Sequence, residues 1–301
     1  MTSGTKKVLI TGGSGLLGRY LLKSMIANPI GYDAVSTWYS NTLFLQDGYS
    51  YRMDVVDEAS VHYVFDRVRP HVVIHCAALG SVDYCERNPE CARITNVGGV
   101  AHILNAALAH RAKVVFISSN AVFGGNGAAP YAEDDGRFPV NMYGVLKKHA
   151  EDLVMEYYED WLIVRPIMLY GWPYRGGRSN WATRVIEFLK AGLPLKIVDD
   201  TVTQPTYAAD CAEAIWKLIA ADETGIFHVG GCDRLSLYGF AMSVANVWGL
   251  DGAGLLEPVS SDYFSNIVRR PQDATYDLTR MISCVANPVR LHDGLERMLK
   301  E

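Results

Sequence analysis

The chain has 301 residues, 49% of them hydrophobic and 20% charged, enough for one large domain or for a core domain carrying a smaller one. A net charge of -5, with acidic and basic residues mixed along the length, leaves no basic stripe for nucleic acid or an anionic membrane, and no apolar run approaches the ~18 residues of a membrane span. The opening "MTSGTKKVLITGG" lacks the charged-then-apolar plan of a signal peptide, so a cytoplasmic protein is expected.

In chain order, "KKVLIT" reads as a strand, "GGSG" as a turn, and Leu16, Leu17, Tyr20, Leu21 and Met25 as the apolar stripe of a helix. "DAVSTWY" is the next strand, "ASVHYVFDRVRP" a helix stopped by Pro70, "HVVIHCAA" a strand, and "ECARITNVGGVAHILNAALAHR" one helix. "KVVFISS" is a strand, "FPVNMYGVLKKHAEDLV" a helix, and "WLIVRPIMLYG" a strand. Continuous apolar runs suit strands covered on both faces, so the pattern predicts an α/β fold: a doubly wound parallel sheet of Rossmann type. After Gly171 the rhythm loosens into "WPYRGGRSN", a helix from about Trp181 to Ala191 and a strand near "LKIVDD". "YAADCAEAIWKLIAAD" and "GIFHVGG" look like a return to the first domain, and "SLYGFAMSVANVWGL" with the tail like a cap. The expected division is a dinucleotide-binding domain of residues 1–171 plus about 204–231, and a smaller, discontinuous C-terminal substrate domain of about 172–203 plus 232–301. The six cysteines are scattered without metal spacing, so no metal site is expected, and Cys76 and Cys211 read as buried, reduced thiols.

In "TGGSGLLG", Gly12, Gly15 and Gly18 stand between the first strand and the first helix. Glycine there permits a tight turn and lets backbone N–H groups approach a pyrophosphate at the helix N-terminus, which makes Gly12, Ser14, Gly15, Leu16 and Leu17 a dinucleotide cradle. The end of the second strand, where an acid would hold the ribose 2′-hydroxyl of NAD, reads "STWYSNT". Ser36, Thr37, Tyr39, Ser40 and Asn41 offer small or polar groups and no carboxylate, so NADP is preferred over NAD, although no arginine stands in that stretch. Asp54, with Val55 beside it at the end of the third strand, can accept from an adenine amino group or simply initiate a turn.

Tyr143 and Lys147 lie one helical turn apart on the same face, with Lys148 one residue off it. A neighbouring ammonium favours a phenolate, so Lys147 is expected to lower the tyrosine pKa toward useful values. The spacing alone is equally that of a surface pair. Ser118 and Ser119 end a buried strand upstream, where open α/β sheets bind their ligands, and this favours chemistry.

Taken in order, "TGGSGLLG", "HCAA", Asn96, "SSNAVFGG", "YGVLKKHAE" and "VRPIMLYG" resemble the extended short-chain dehydrogenases/reductases. The resemblance implies that Ser119 hydrogen-bonds a substrate carbonyl, Tyr143 is the general acid and Lys147 binds the nicotinamide ribose. It further places Cys76, Ala77, Ala78, Asn96, Arg165 and Pro166 at the cofactor, with Asn96 shaping a proton path or holding a helix bend. Within that superfamily the chain is most similar to the dTDP-4-dehydrorhamnose reductase group, through "GSVDYCERNPECARITNVGGVAHI", "QPTYAADCAEAI" and "RRPQDATYDLTRM". Reduction of a 4-keto group on a nucleotide-linked deoxyhexose is the function this implies.

Where that group has "STDYVFDG", this chain has Asn120 for aspartate and Ala121 for tyrosine, beside the expected sugar pocket, which leaves a different sugar or stereochemistry open. Substrate candidates are Ser119, Asn120, Ala121, Asn180, Trp181, Gln204 and Arg270, with Arg175, Arg178, Thr206 and Arg269 as further candidates. His75 reads as a strand-end residue. The alternatives are an NAD-dependent nucleotide-sugar epimerase or dehydratase, which shares the core motifs, and a non-catalytic regulatory subunit resembling that of methionine adenosyltransferase. The superfamily also implies a homodimer through helices near 95–110 and 141–158.

Overall fold

The computed structural model describes residues 5–27, 31–42, 49–127, 129–264, 268–285 and 287–301. Residues 1–4, which entered the reading for a targeting signal, lie outside them. Seven strands form one parallel sheet: β1 (Lys6–Thr11), β2 (Tyr32–Trp38), β3 (Ser50–Arg52), β4 (Val72–His75), β5 (Lys113–Ile117), β6 (Trp161–Pro166) and β7 (Gly225–Val229). Their order is 3-2-1-4-5-6-7, so the direction of winding reverses between β1 and β4. Ligands of open α/β sheets bind at such a reversal, beyond the carboxyl ends of the strands.

The apolar runs are explained by a core on each face. Val8, Ile10, Ile74, Val115 and Val164 point to one side, while Leu9, Val73, Val114, Phe116 and Ile163 point to the other, all essentially inaccessible to water. Each such side chain contributes about 1.5–3 kcal/mol by leaving water. The first face is covered by α1 (Leu16–Ala27); the second by α2 (Glu58–Val68), α3 (Gly99–His110) and α4 (Met142–Tyr157). Further on, α5 (Trp181–Lys190) packs against α7 (Leu237–Trp248), and α8 (Leu291–Leu299) against α7. Between them in sequence, α6 (Ala208–Ala220) returns to α1, where the Trp216 indole donates to Leu21 O at 3.1 Å.

Three elements differ from the sequence reading. The single helix expected over 90–111 is instead a short helix Pro89–Arg93, a π turn Ile94–Gly98 and then α3, because Asn96 turns inward. Its side chain accepts from Leu79 N at 2.7 Å and donates to Leu79 O at 3.1 Å, fixing the chain after β4 at the cost of a helical register shift. The helix expected across 138–154 begins at Met142, where Asn141 caps it by accepting from Gly144 N at 2.9 Å. The strand expected over "WLIVRPIMLYG" stops at Pro166; Met168 has φ +38, and Leu169–Tyr170 pairs separately with Thr206–Tyr207. Cys211 is buried, whereas Cys76 is half-buried because β4 ends at His75 and the next residues step out into the cleft.

Candidate active site

The glycine turn is shaped by close approaches. Gly12 has φ +68, and a Cβ there would stand 2.8 Å from the Ala77 backbone, so β1 turns directly against the segment leaving β4. At Gly18 a Cβ would stand 2.5 Å from Gly13 Cα, so the first turn of α1 rests on the loop itself. Gly15 is different: a Cβ would meet Gly12 O alone, at 3.1 Å, and otherwise project into open space. The first amides of α1, those of Leu16 and Leu17, have no intrahelical acceptor and sit at the positive end of the helix dipole. This is a cradle fitted to a pyrophosphate, and the residues present fit a dinucleotide.

From this turn a cleft of about 1430 Å³ crosses the carboxyl edge of the sheet. Ser14, Gly15, Leu16 and Leu17 form its floor with Gly12. One end is bounded by Tyr39, Ser40, Asp54 and Val55, together with Thr37 and Asn41. Asp54 accepts from Val56 N at 3.0 Å, the turn-initiating role, while still facing the cleft. Cys76, Ala77 and Ala78 line the middle. Burial pushes the Cys76 thiol up to about 12, so it stays protonated. His75, behind them, lies with Nδ1 2.7 Å from Thr11 Oγ1 and is pushed down to about 3 by burial; it remains a neutral strand-end residue.

The opposite end gathers Ser119, Asn120, Tyr143, Lys147 and Pro166. Gly144 makes this gathering possible: a Cβ there would lie 2.1 Å from Ala121 O, so α4 presses its first turn onto the Ser119–Val122 loop. Ser119 Oγ accepts from Ala121 N at 3.2 Å and donates to Asn120 Oδ1 at 3.3 Å. The neighbouring Ser118 also borders the cleft, its hydroxyl buried and without a hydrogen-bond partner. Lys147 Nζ donates to Ile117 O at 2.7 Å and lies 4.8 Å from the Phe116 ring centroid. Lys148 points outward to Asp152 at 2.9 Å, which separates the two lysines as the face argument expects.

The electrostatics correct one expectation. Burial pushes Tyr143 up to about 12, opposed by the Ser119 hydroxyl; Cys85 adds to the rise and Arg178 works against it. Lys147, whose ammonium is 6.0 Å from the Tyr143 ring centroid, is turned onto Ile117 O, and the net shift of Tyr143 is upward. Burial also pushes Lys147 down to about 8. The cleft therefore holds Tyr143 as a neutral phenol, in the state that gives a proton away.

Of the residues expected to meet substrate, Asn180, Trp181 and Arg270 line the cleft, and Arg178 joins them. Asn180 is committed to capping α5, accepting from Ala182 N at 3.2 Å and donating to Gly171 O at 2.7 Å. Arg270 pairs with Asp83 at 2.9 Å, both on the cleft wall. Several predicted residues do not line the cleft, among them Ser36, Arg175, Thr206 and Arg269. Asn96 holds the Leu79 backbone behind it. Arg165 is wholly buried, its Nε and Nη2 each 2.8 Å from Glu151, because β6 turns this residue away from the cleft and under α4. Ala121 is packed beneath Gly144, and Gln204 is buried between Gly231 O at 2.9 Å and Tyr276 N at 2.9 Å. Arg184 was missed: it lines the cleft with its guanidinium 5.7 Å from the Trp181 ring centroid, and its position one turn after Trp181 on an amphipathic helix was the available signal. Among the described residues no group of three His, Cys, Asp or Glu could hold a metal ion, and no helix is long and apolar enough to cross a membrane.

Compared with known proteins, the sequence matches the RmlD substrate binding domain family over residues 6–301. The chain belongs to that family. It is thereby an RmlD-like member of the extended short-chain dehydrogenases/reductases. The spore coat polysaccharide biosynthesis protein SpsK of Bacillus subtilis (strain 168) is 30% identical, over 98% of this chain and 97% of its own length. Methionine adenosyltransferase 2 subunit beta of Bos taurus is 29% identical, over 92% of this chain and 81% of its own. Among solved structures, the dTDP-4-dehydrorhamnose reductase of Bacillus anthracis in complex with NADP superposes with a TM-score of 0.87 at 28% identity, covering 98% of this chain and 99% of that one. The seven-stranded parallel sheet is thus the Rossmann-type fold of this family.

Proposed function

We propose that this RmlD-family chain is an NAD(P)-dependent oxidoreductase that reduces the 4-keto group of a nucleotide-linked deoxyhexose. The observation that carries the reading is the assembly of Ser119, Tyr143 and Lys147 at one end of a cleft whose other end is a dinucleotide cradle. The likeness to a dTDP-4-dehydrorhamnose reductase over nearly the whole of both chains supports the substrate class. When bound, the nicotinamide supplies the hydride that reaches the sugar C4.

The chain's own residues do the rest. Ser119 directs its hydroxyl at the substrate carbonyl oxygen and steadies the charge that develops there. Tyr143, kept protonated by burial, gives its phenolic proton to the forming alkoxide. Lys147 holds the ribose side of the cofactor in register with that proton. Arg178 and Arg270 take the diphosphate of the nucleotide sugar, Arg270 exchanging Asp83 for a phosphate oxygen. The segments 172–203 and 232–301 act as the substrate domain, the protein works in the cytoplasm, and α3 with α4 provides the face for a homodimer.

The test is oxidation of NADPH and of NADH against a panel of nucleotide-linked 4-keto sugars. Tyr143→Phe should keep cofactor affinity and lose about 10²–10⁴ in kcat; near-parental turnover in that variant sinks the mechanism. The relationship to methionine adenosyltransferase 2 subunit beta supports a second reading, a regulatory subunit. Absence of turnover across the panel, together with a stable complex with a methionine adenosyltransferase, would favour it.

A further inference from the structure

The loop that brings Arg178 to the cleft is held from behind by the same helix that opens on the dinucleotide cradle. Leu16 and Leu17 begin α1 at the cradle, and Arg19 and Tyr20 follow within about one turn. Arg19 donates to Pro173 O, and its guanidinium carbon lies 5.3 Å from the Tyr174 ring centroid. Tyr20, 1% exposed, accepts from Trp172 N at 2.9 Å, and Gly171 is so close that a Cβ there would stand 2.8 Å from the Tyr20 ring. From these anchors the chain runs along the cleft through Gly177, Arg178 and Ser179 to Asn180, whose side-chain amide donates back to Gly171 O at 2.7 Å and closes the loop.

The Tyr20 hydroxyl is itself held. It donates to Glu301 at 2.8 Å, and Glu301 also accepts from Tyr207 and from Lys23, each at 2.8 Å. Burial works to raise the Glu301 carboxyl, but Lys23, Tyr207 and Tyr20 outweigh it and hold it below its ordinary value, an anion at neutral pH. Burial, with Glu301 beside it, pushes Tyr20 up to about 12, so it remains a phenol. A phenol whose proton points at a carboxylate turns its lone pairs elsewhere, and the carboxylate polarises the oxygen into a better acceptor. The Trp172 amide is what that oxygen meets.

We infer that Tyr20, oriented by Glu301, is a positioning residue that fixes the loop 171–180 to α1, so that Arg178 receives the substrate diphosphate at a set distance from the cofactor cradle. The inference rests on the role proposed above for Arg178.

The experiment compares the parent chain with Tyr20→Phe, Glu301→Gln and a control, Tyr207→Phe, which removes a donor to Glu301 and leaves the Trp172 contact in place. Three quantities are read: the rate of trypsin cleavage at Arg175 and Arg178, both exposed, by mass spectrometry of the fragments; the affinity of the NADP⁺-saturated protein for dTDP; and the affinity for NADP⁺. In Tyr20→Phe, cleavage at the two arginines should be roughly tenfold faster and dTDP binding roughly tenfold weaker, with NADP⁺ affinity within about twofold of the parent. Glu301→Gln should move the same two quantities by less, and Tyr207→Phe should match the parent in all three. Parental cleavage and dTDP affinity in Tyr20→Phe or in Glu301→Gln, equal effects of Tyr20→Phe and Tyr207→Phe, a matching loss of NADP⁺ affinity, or a parent that binds no dTDP overturns the inference. A parent that shows the expected differences but turns over no 4-keto sugar overturns the reductase reading and leaves the inference standing.

Discussion

Replacing Lys147 by methionine should make the protein more stable and less active. The Lys147 side chain is 5% exposed, it donates to Ile117 O at 2.7 Å, and burial pushes its pKa from 10.5 to about 8. Folding therefore places a charge in a poor solvent at neutral pH, whereas the unfolded chain carries that charge freely up to about pH 10.4. At about 1.4 kcal/mol per pH unit, this displacement is a penalty of about 3 kcal/mol at pH 7. Methionine removes it and loses one hydrogen bond worth about 1 kcal/mol, leaving a net gain of about 2 kcal/mol. The folded pKa lies below the unfolded one, so the penalty is complete below about pH 8 and fades as both states lose the proton toward pH 10.5. The advantage of Lys147→Met should thus shrink by about 2 kcal/mol between pH 7 and pH 9.5. Urea denaturation of both proteins at the two pH values measures it, since the other titrating groups cancel in the difference. A variant less stable than the parent at pH 7, or an advantage of equal size at both pH values, refutes the reasoning.

The same titration should appear in kinetics: kcat/KM falls as pH rises through about 8, where Lys147 loses its charge, and not near the higher value of Tyr143; an alkaline limb that survives in an active Lys147→Arg variant contradicts the assignment. Gly15→Ala, whose new Cβ meets a single oxygen at 3.1 Å, should keep the parental Tm and lose cofactor affinity about tenfold, the space it fills being the ligand's. Gly18→Ala, with its Cβ 2.5 Å from Gly13 Cα, should instead lose about 1–3 kcal/mol of stability as well; identical behaviour of the two variants in a thermal melt with and without NADP⁺ would be inconsistent with this picture. Arg165→Met leaves Glu151 buried with Arg137 as its remaining guanidinium partner and should cost about 3–5 kcal/mol in a denaturant titration; a loss below 1 kcal/mol would show the pair to be dispensable.

What the sequence makes legible is whatever depends on neighbours along the chain. The runs around Val8–Ile10 and Val72–Ile74 are apolar at every position because both faces of the sheet are covered, and that pattern needs no knowledge of the partner strands. Tyr143, Lys147 and the glycine turn are equally local, being set by one helix and one loop. The features that were not legible come from contacts between distant segments. Arg165 sits in an apolar strand like a residue that must reach a ligand, yet its partner Glu151 stands two turns beyond Tyr143 on α4 and draws it under the helix. The π turn at Asn96 follows from the Leu79 backbone needing a partner, which a helical periodicity count cannot register. Arg52 reaches Tyr39 because β3 lies beside β2, a fact of sheet order and not of spacing.

In the proposed function this cleft delivers a hydride to a sugar carbon while Tyr143 supplies the proton. Its most direct test is to incubate the enzyme and its Tyr143→Phe variant with a nucleotide-linked 4-keto-6-deoxyhexose and NADPH separately deuterated at each face of the nicotinamide C4, and to locate the label in the product. Deuterium is expected at the sugar C4 from one face alone, with the yield collapsing in Tyr143→Phe. An unlabelled sugar product, or equal labelling by the tyrosine variant, would contradict it.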